Sequence, residues 1–138
     1  VTATSYAYGY VVGGVMVFPN ILPSTTFSGV LENITIKFKA SVQSSYFAVA
    51  IFTGSPSGTF TDNNAPAIAT TDSALLIGVY QLTSYSSLLG THTIYTLDGI
   101  AEQIIGTSTT LYAVVISQSA SAALASTTDM LVSIGVIW

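Results

Sequence analysis

The sequence predicts an all-β protein: an antiparallel β-sandwich, jelly-roll-like, of about eight strands with an extended N-terminal arm. Three observations predict it. Two short runs, Tyr46-Phe47-Ala48-Val49-Ala50-Ile51-Phe52 and Leu111-Tyr112-Ala113-Val114-Val115-Ile116, carry no charge, Gly or Pro, and suit strands buried on both faces. Residues 30–39 alternate, with Val30, Glu32, Ile34, Ile36 and Phe38 on one parity and Leu31, Asn33, Thr35, Lys37 and Lys39 on the other. Turn signals recur at short intervals, without an amphipathic helix or βαβ alternation and without a repeat of fixed period.

Residues 1–14 read as the arm and 15–138 as a single β domain. In the arm, Tyr6, Tyr8 and Tyr10 alternate, which in an extended segment puts three rings on one side. A short strand at 15–18 ends in the breakers Pro19-Asn20 and Pro23-Ser24. On the 30–38 strand the core face is the even parity apart from Glu32, and Lys37 and Lys39 belong on the wet face. After the 46–53 strand, residues 54–66 are too rich in Gly, Pro, Asp and Asn for regular structure. Thr71 or Asp72 is placed to cap one short helical turn through Leu76. Strands follow at 77–83 and 92–97, with 84–91 read as a loop. Asp98-Gly99 signals a turn before a short apolar strand at 100–105. The 111–117 strand, an Ala/Ser/Thr linker at 118–128 and a final strand at 130–138 complete the chain.

Composition narrows the function. Of 138 residues 50% are apolar and only 6% charged, against roughly 25% charged in an average globular protein. Roughly a quarter of the residues are Ser or Thr. A surface of hydroxyls and aliphatics with so little charge suits a subunit largely covered by neighbours. The net charge of −4, with Lys37 and Lys39 the only cations, argues against nucleic-acid binding. Without cysteine there is neither a disulfide framework nor a thiolate zinc site. No charged n-region precedes an apolar h-region, so no secretory signal is expected. No apolar run reaches 18 residues, so no membrane-spanning helix and no membrane partner are expected.

No catalytic constellation is visible, and no enzyme activity, cofactor or metal is expected. The single histidine, His92, lies in a Thr-rich strand without a nucleophile elbow elsewhere. The carboxylates Glu32, Asp62, Asp72, Asp98, Glu102 and Asp129 are scattered and show no pairing. Asp62-Asn63-Asn64 resembles a fragment of a calcium loop but lacks its alternating acids, central Gly and terminal Glu, so a turn is the better account. The contact residues expected are Tyr6, Tyr8, Tyr10 and Trp138, since aromatic rings without nearby positive charge suit protein–protein packing.

Three stretches carry a family resemblance. They are Phe18-Pro19-Asn20 with residues 28–36; residues 51–63 (Ile-Phe-Thr-Gly-Ser-Pro-Ser-Gly-Thr-Phe-Thr-Asp-Asn), continuing to Asp72 and Ile77-Gly78-Val79; and residues 106–115 with 126–132. In order and spacing they resemble small structural proteins of tailed bacteriophages and cyanophages, encoded among the head genes. The resemblance implies a virion component, above all a capsid decoration or cement protein on the outer head surface. Its partners would be the major capsid protein and further copies of itself, as a homotrimer. Where the family ends in a polar or acidic residue, this chain has Ile137-Trp138, and Ser or Thr replaces most of the family's charges. Both departures fit a more tightly associated subunit, and head surface, fibre and tail stay open as its place. A cement subunit works by burying apolar area across capsomer joints, at roughly 25 cal/mol per Å² before association costs.

Two other functions fit the same composition. One is a self-assembling, pilin-like extracellular filament subunit. The other is a carbohydrate-binding host-attachment module with Tyr80, Tyr85 and Tyr95 as its aromatic platform.

Overall fold

The computed structural model describes residues 5–39, 46–89, 92–119, 122–124 and 129–138. Residues 1–4 of the expected arm and much of the 118–128 linker lie outside them. The strands are β1 (Ser5–Tyr6), β2 (Val11–Phe18), β3 (Ser28–Phe38), β4 (Phe47–Phe52), β5 (Leu76–Leu82), β6 (Tyr85–Leu89), β7 (His92–Ile105), β8 (Leu111–Ser117), β9 (Ala122–Ala123) and β10 (Met130–Ile137). A 3₁₀ turn, Thr70–Ala74, precedes β5.

Two four-stranded antiparallel sheets form a sandwich, in the orders β10-β3-β7-β6 and β2-β8-β4-β5, and β1 pairs with β9 in a separate ribbon. The antiparallel two-sheet sandwich is the architecture the sequence predicts. The first and last long strands, β2 and β10, lie in different sheets, each at an edge. The expected boundary between arm and body at residue 14 also falls inside β2, because Val11 and Val12 are fully buried and pair with Ile116 and Val115.

The main core lies between the sheets. It takes Leu31, Ile34, Ile36, Phe38 and Tyr95 from the β3 sheet, and Val12, Phe47, Val49, Ile51 and Val115 from the β4 sheet. Phe38, Phe47 and Tyr95 form an aromatic cluster, with ring centroids 4.8 Å apart for Phe38–Phe47 and 5.3 Å for Phe47–Tyr95. Tyr95 is fully buried, and that burial, with the Tyr85 and Tyr46 phenols, raises its hydroxyl well above the usual tyrosine range. It is therefore no part of an exposed aromatic platform.

β4 is buried at every residue, as its apolar run predicts. Its inner side chains meet the main core, while Ala50 and Phe52 join Val11, Phe60 and Val114 in a second cluster on the other face. That outer face is covered by the connection between β4 and β5. A single carboxylate organises this connection. Asp72 has no exposed surface, and its Oδ1 accepts from the Ser57 N–H (2.7 Å) and Oγ–H (2.9 Å). Its Oδ2 accepts from the N–H groups of Gly58 (2.9 Å) and Ala69 (3.0 Å). Burial acts on this carboxyl most strongly and pushes its pKa up, yet the four hydrogen bonds together outweigh burial and hold it below its ordinary value. Asp72 thus reaches back to the residue that opens the 3₁₀ turn, close to the capping role expected of it, but also gathers residues 57 and 58 from across the loop. Gly58 makes room for this: a Cβ there would stand 2.3 Å from the Ala67 carbonyl and 2.8 Å from Asp72 Oδ2.

Three features depart from the sequence reading. Glu32 is an extra residue against β10, where the consecutive Gly135 and Val136 face Asn33 and Leu31, whereas against β7 the excess lies on the partner strand, since Gly99, Ile100 and Ala101 stand between Asp98, which faces Asn33, and Glu102, which faces Leu31. The bulge moves the core from even to odd parity, so Leu31 is fully buried and Val30 only partly. Asp98-Gly99 is not a turn but part of a bulge within the single strand β7, with Gly99 at φ 68° and Ala101 at φ 53°. Residues 84–91, read as a loop, contain β6, which pairs with β7 through Tyr85↔Tyr95. Lys37 and Lys39 are exposed, as expected.

Candidate assembly interface

The expected contact residues do not come together. β1 carries Tyr6 into the core, where its ring is 1% exposed and its hydroxyl donates to Asp62 Oδ1 at 2.9 Å. Gly9, at φ 80°, and the Tyr10 N–H···O Ala7 bond (3.2 Å) then reverse the chain. The reversal breaks the extended segment that would have aligned Tyr6, Tyr8 and Tyr10. Tyr8 is 67% exposed and Tyr10 partly buried. Trp138 is 74% exposed and follows the end of β10.

The structure instead brings together the two strands nobody pairs with on one side. A groove of about 320 Å³ is lined by Gly13, Met16, Val17 and Phe18 of β2 and by Met130, Leu131 and Val132 of β10. The two edges therefore lie along the same side of the sandwich. They also run in the same sense. β10 begins opposite Phe38, β8 ends opposite Phe47, and the Phe38 and Phe47 rings touch, so β2 and β10 both start from that end. Tyr8 and Trp138 accordingly sit off opposite ends of this side, separated by strands of eight residues, roughly 25 Å.

Neither edge carries a charged residue or a proline: β2 reads VVGGVMVF and β10 reads MLVSIGVI. Sheet edges in monomers are ordinarily blunted by such residues. Val17 and Leu131 are 56% and 60% exposed. One device does protect β2 at its start. The loop tip lays Asn63 and Asn64 along Val11, through Asn63 N–H···O Val11 (2.9 Å) and Val11 N–H···O Asn64 (2.9 Å). Asp62 Oδ1 also accepts from the Gly13 N–H at 2.7 Å. Asp62-Asn63-Asn64 is thus a clamp on the Gly13-Gly14 bulge, whose positive φ angles of 89° and 87° only glycine adopts freely. From Val15 to Phe18 no strand among the described residues covers the edge. Replacing Tyr6 by Phe is expected to remove one hydrogen bond to this carboxylate and cost about 1–2 kcal/mol, read as a lower urea midpoint at unchanged slope.

His92 is exposed and lines a shallow recess with Lys37, Lys39, Asp129 and Leu131. Among the described residues no group of three or more His, Cys, Asp or Glu side chains stands close enough to hold a metal ion. Nor is any helix among them long and apolar enough to cross a membrane.

Fold and surface together define a class: a two-sheet antiparallel β-sandwich with two uncharged edges open on one side. No family model, no curated protein and no solved structure matches the chain.

Proposed function

We propose that the chain is a structural subunit incorporated into a virion, where it serves as a decoration or cement protein binding the outer surface of the head and stabilising the shell. The observation that carries an assembly role is the pair of uncharged edges, β2 and β10, side by side and aliphatic. Such edges bind by strand addition: backbone hydrogen bonds supply affinity and alternate side chains supply fit. The virion setting is supported by the sequence resemblance, and by a composition with 6% charge that suits a covered surface. The proposed partners are the major capsid protein and other copies of this chain, and avidity over many identical sites supplies the retention.

The test is binding to heads that lack the protein. Purified chain should sediment with them and raise their thermal and osmotic resistance. Val17→Lys and Leu131→Lys each put a charge on an exposed edge position. Each should lower occupancy at least tenfold while leaving the Tm of the free protein within about 1–2 °C, because both sites are already in water. Full occupancy by both variants would remove the edges from the proposal.

A filament subunit is the second reading, favoured by the difference between the two edges. A contact from β2 of one copy to β10 of the next is heterologous and need not close. Open-ended polymers that ignore the shell would establish it.

A further inference from the structure

Away from the β2–β10 groove, the cleft at the far end of β10 has a different chemistry. It is an open recess of about 440 Å³ lined by Thr25, Thr26, Ser28, Gln103, Ile137 and Trp138 together with Pro23, Gly29 and Val30. No side chain lining it is charged. The polar groups are three hydroxyls and one carboxamide, each able both to donate and to accept. The indole of Trp138 is 74% exposed beside them.

The walls are held by strained backbone. Among the described residues, four other than glycine have positive φ, and two of them adjoin this cleft. Phe27, at φ 50°, stands between Thr26 and Ser28, and Ala101, at φ 53°, is two residues before Gln103. A bulky residue such as Phe rarely adopts this conformation unless its surroundings impose it. Here the surroundings are visible: Phe27 N–H donates to the Pro23 carbonyl at 2.9 Å, and the Phe27 carbonyl accepts from Gly106 N–H at 2.8 Å. The turn carrying the threonines is therefore pinned to the body and does not drift with the loop.

We infer that this cleft is a binding site for a neutral carbohydrate. A sugar ring offers an apolar C–H face, which an exposed indole can cover, and a rim of hydroxyls, which uncharged groups of mixed donor and acceptor character can satisfy. The volume lies in the range of small-ligand sites, about 300–1,000 Å³. The absence of lining charge selects against phosphates and acidic sugars, whose charge would find no partner here. The cleft shares Ile137 with β10 but no residue with the β2–β10 groove, so its failure leaves the assembly proposal standing.

Trp138 is the chain's single tryptophan, so its fluorescence reports on this cleft alone. The full chain is titrated with maltotriose, cellotriose and chitotriose, and with trigalacturonate as the acidic control. Expected is a saturable change in emission with at least one neutral trisaccharide below about 10 mM, and none with trigalacturonate. Calorimetry then compares variants. Trp138→Ala should weaken binding at least tenfold, Trp138→Phe should restore part of it, and Gln103→Ala should weaken it several-fold, all with unchanged Tm. The inference is overturned if no neutral trisaccharide gives a saturable change, if the acidic one binds equally, or if Trp138→Ala keeps full affinity. It is also overturned if emission shifts with protein concentration alone, which would make the cleft a contact between copies.

Discussion

Replacing Asp72 by Asn is expected to lower the Tm by roughly 5–10 °C and to open the β4–β5 connection to protease, although the shape of the side chain hardly changes. All four hydrogen bonds at this carboxylate run inward from donors. An asparagine must turn its NH₂ toward one pair. Facing Gly58 and Ala69 it leaves two backbone N–H groups against a donor. Facing Ser57 it leaves one, with only the hydroxyl free to rotate. Cleavage within residues 54–74, read by mass spectrometry, separates this local release from global unfolding. The same residue sets an acid limit. Its folded pKa lies below the ordinary value of 3.8, so its stabilisation is fully present above that value. It is lost as the pH falls from there through the folded pKa. Acid titration of the wild type should show loop release below about pH 3.8, and the Asn variant should lack that step.

Much of this arrangement was legible in the sequence, and what was not has a physical reason. The 47–52 and 111–117 strands were legible because a strand covered on both faces needs no alternation, and only short apolar runs satisfy that. The turn at Asp72 was legible from local capping chemistry, whereas its bonds to Ser57 and Gly58 were not, because they depend on two segments about fifteen residues apart meeting in space. The Glu32 bulge was hidden for a related reason. Parity reading assumes one residue per step, and the extra residue shows only when β10 lies alongside. The alternation of Tyr6, Tyr8 and Tyr10 does not put three rings on one side because Gly9 reverses the chain between Tyr8 and Tyr10. The β2–β10 side was not legible at all. Each strand could be read alone, but nothing in either says that they end on the same side.

Phe47→Ala should be the most damaging single truncation, at about 3–5 kcal/mol. Phe47 comes from the β4 sheet and packs between two rings of the other sheet, Phe38 at 4.8 Å and Tyr95 at 5.3 Å in an edge contact. The three rings hold the sheets together at the end where β2 and β10 begin. Removing the middle ring loses both its transfer energy and its contacts, since the two neighbours are fixed by strand pairing and cannot close the gap. Against a total stability of about 5–15 kcal/mol for an ordinary domain, the loss is a large fraction. Urea unfolding should show a much lower midpoint with the slope preserved, and Phe47→Leu should recover more than half of the difference.

The strand order has a consequence for how the chain is made. β8 lies between β2 and β4, yet it is synthesised after both, and β3 receives one neighbour, β7, shortly before β8 and the other, β10, only after it. As the chain emerges, β4 meets β5 first and β3 meets β7 next, whereas β2 meets β8, and the β4 sheet is completed, only when residue 117 has left the ribosome. Through most of its synthesis the apolar ribbon β2 is thus waiting for its complement. Only the β6–β7 pairing joins immediate neighbours in the sequence without a long connection. Final closure falls to β10, the last strand to appear, whose docking on β3 at once completes the sandwich and creates the side from which assembly is proposed to proceed.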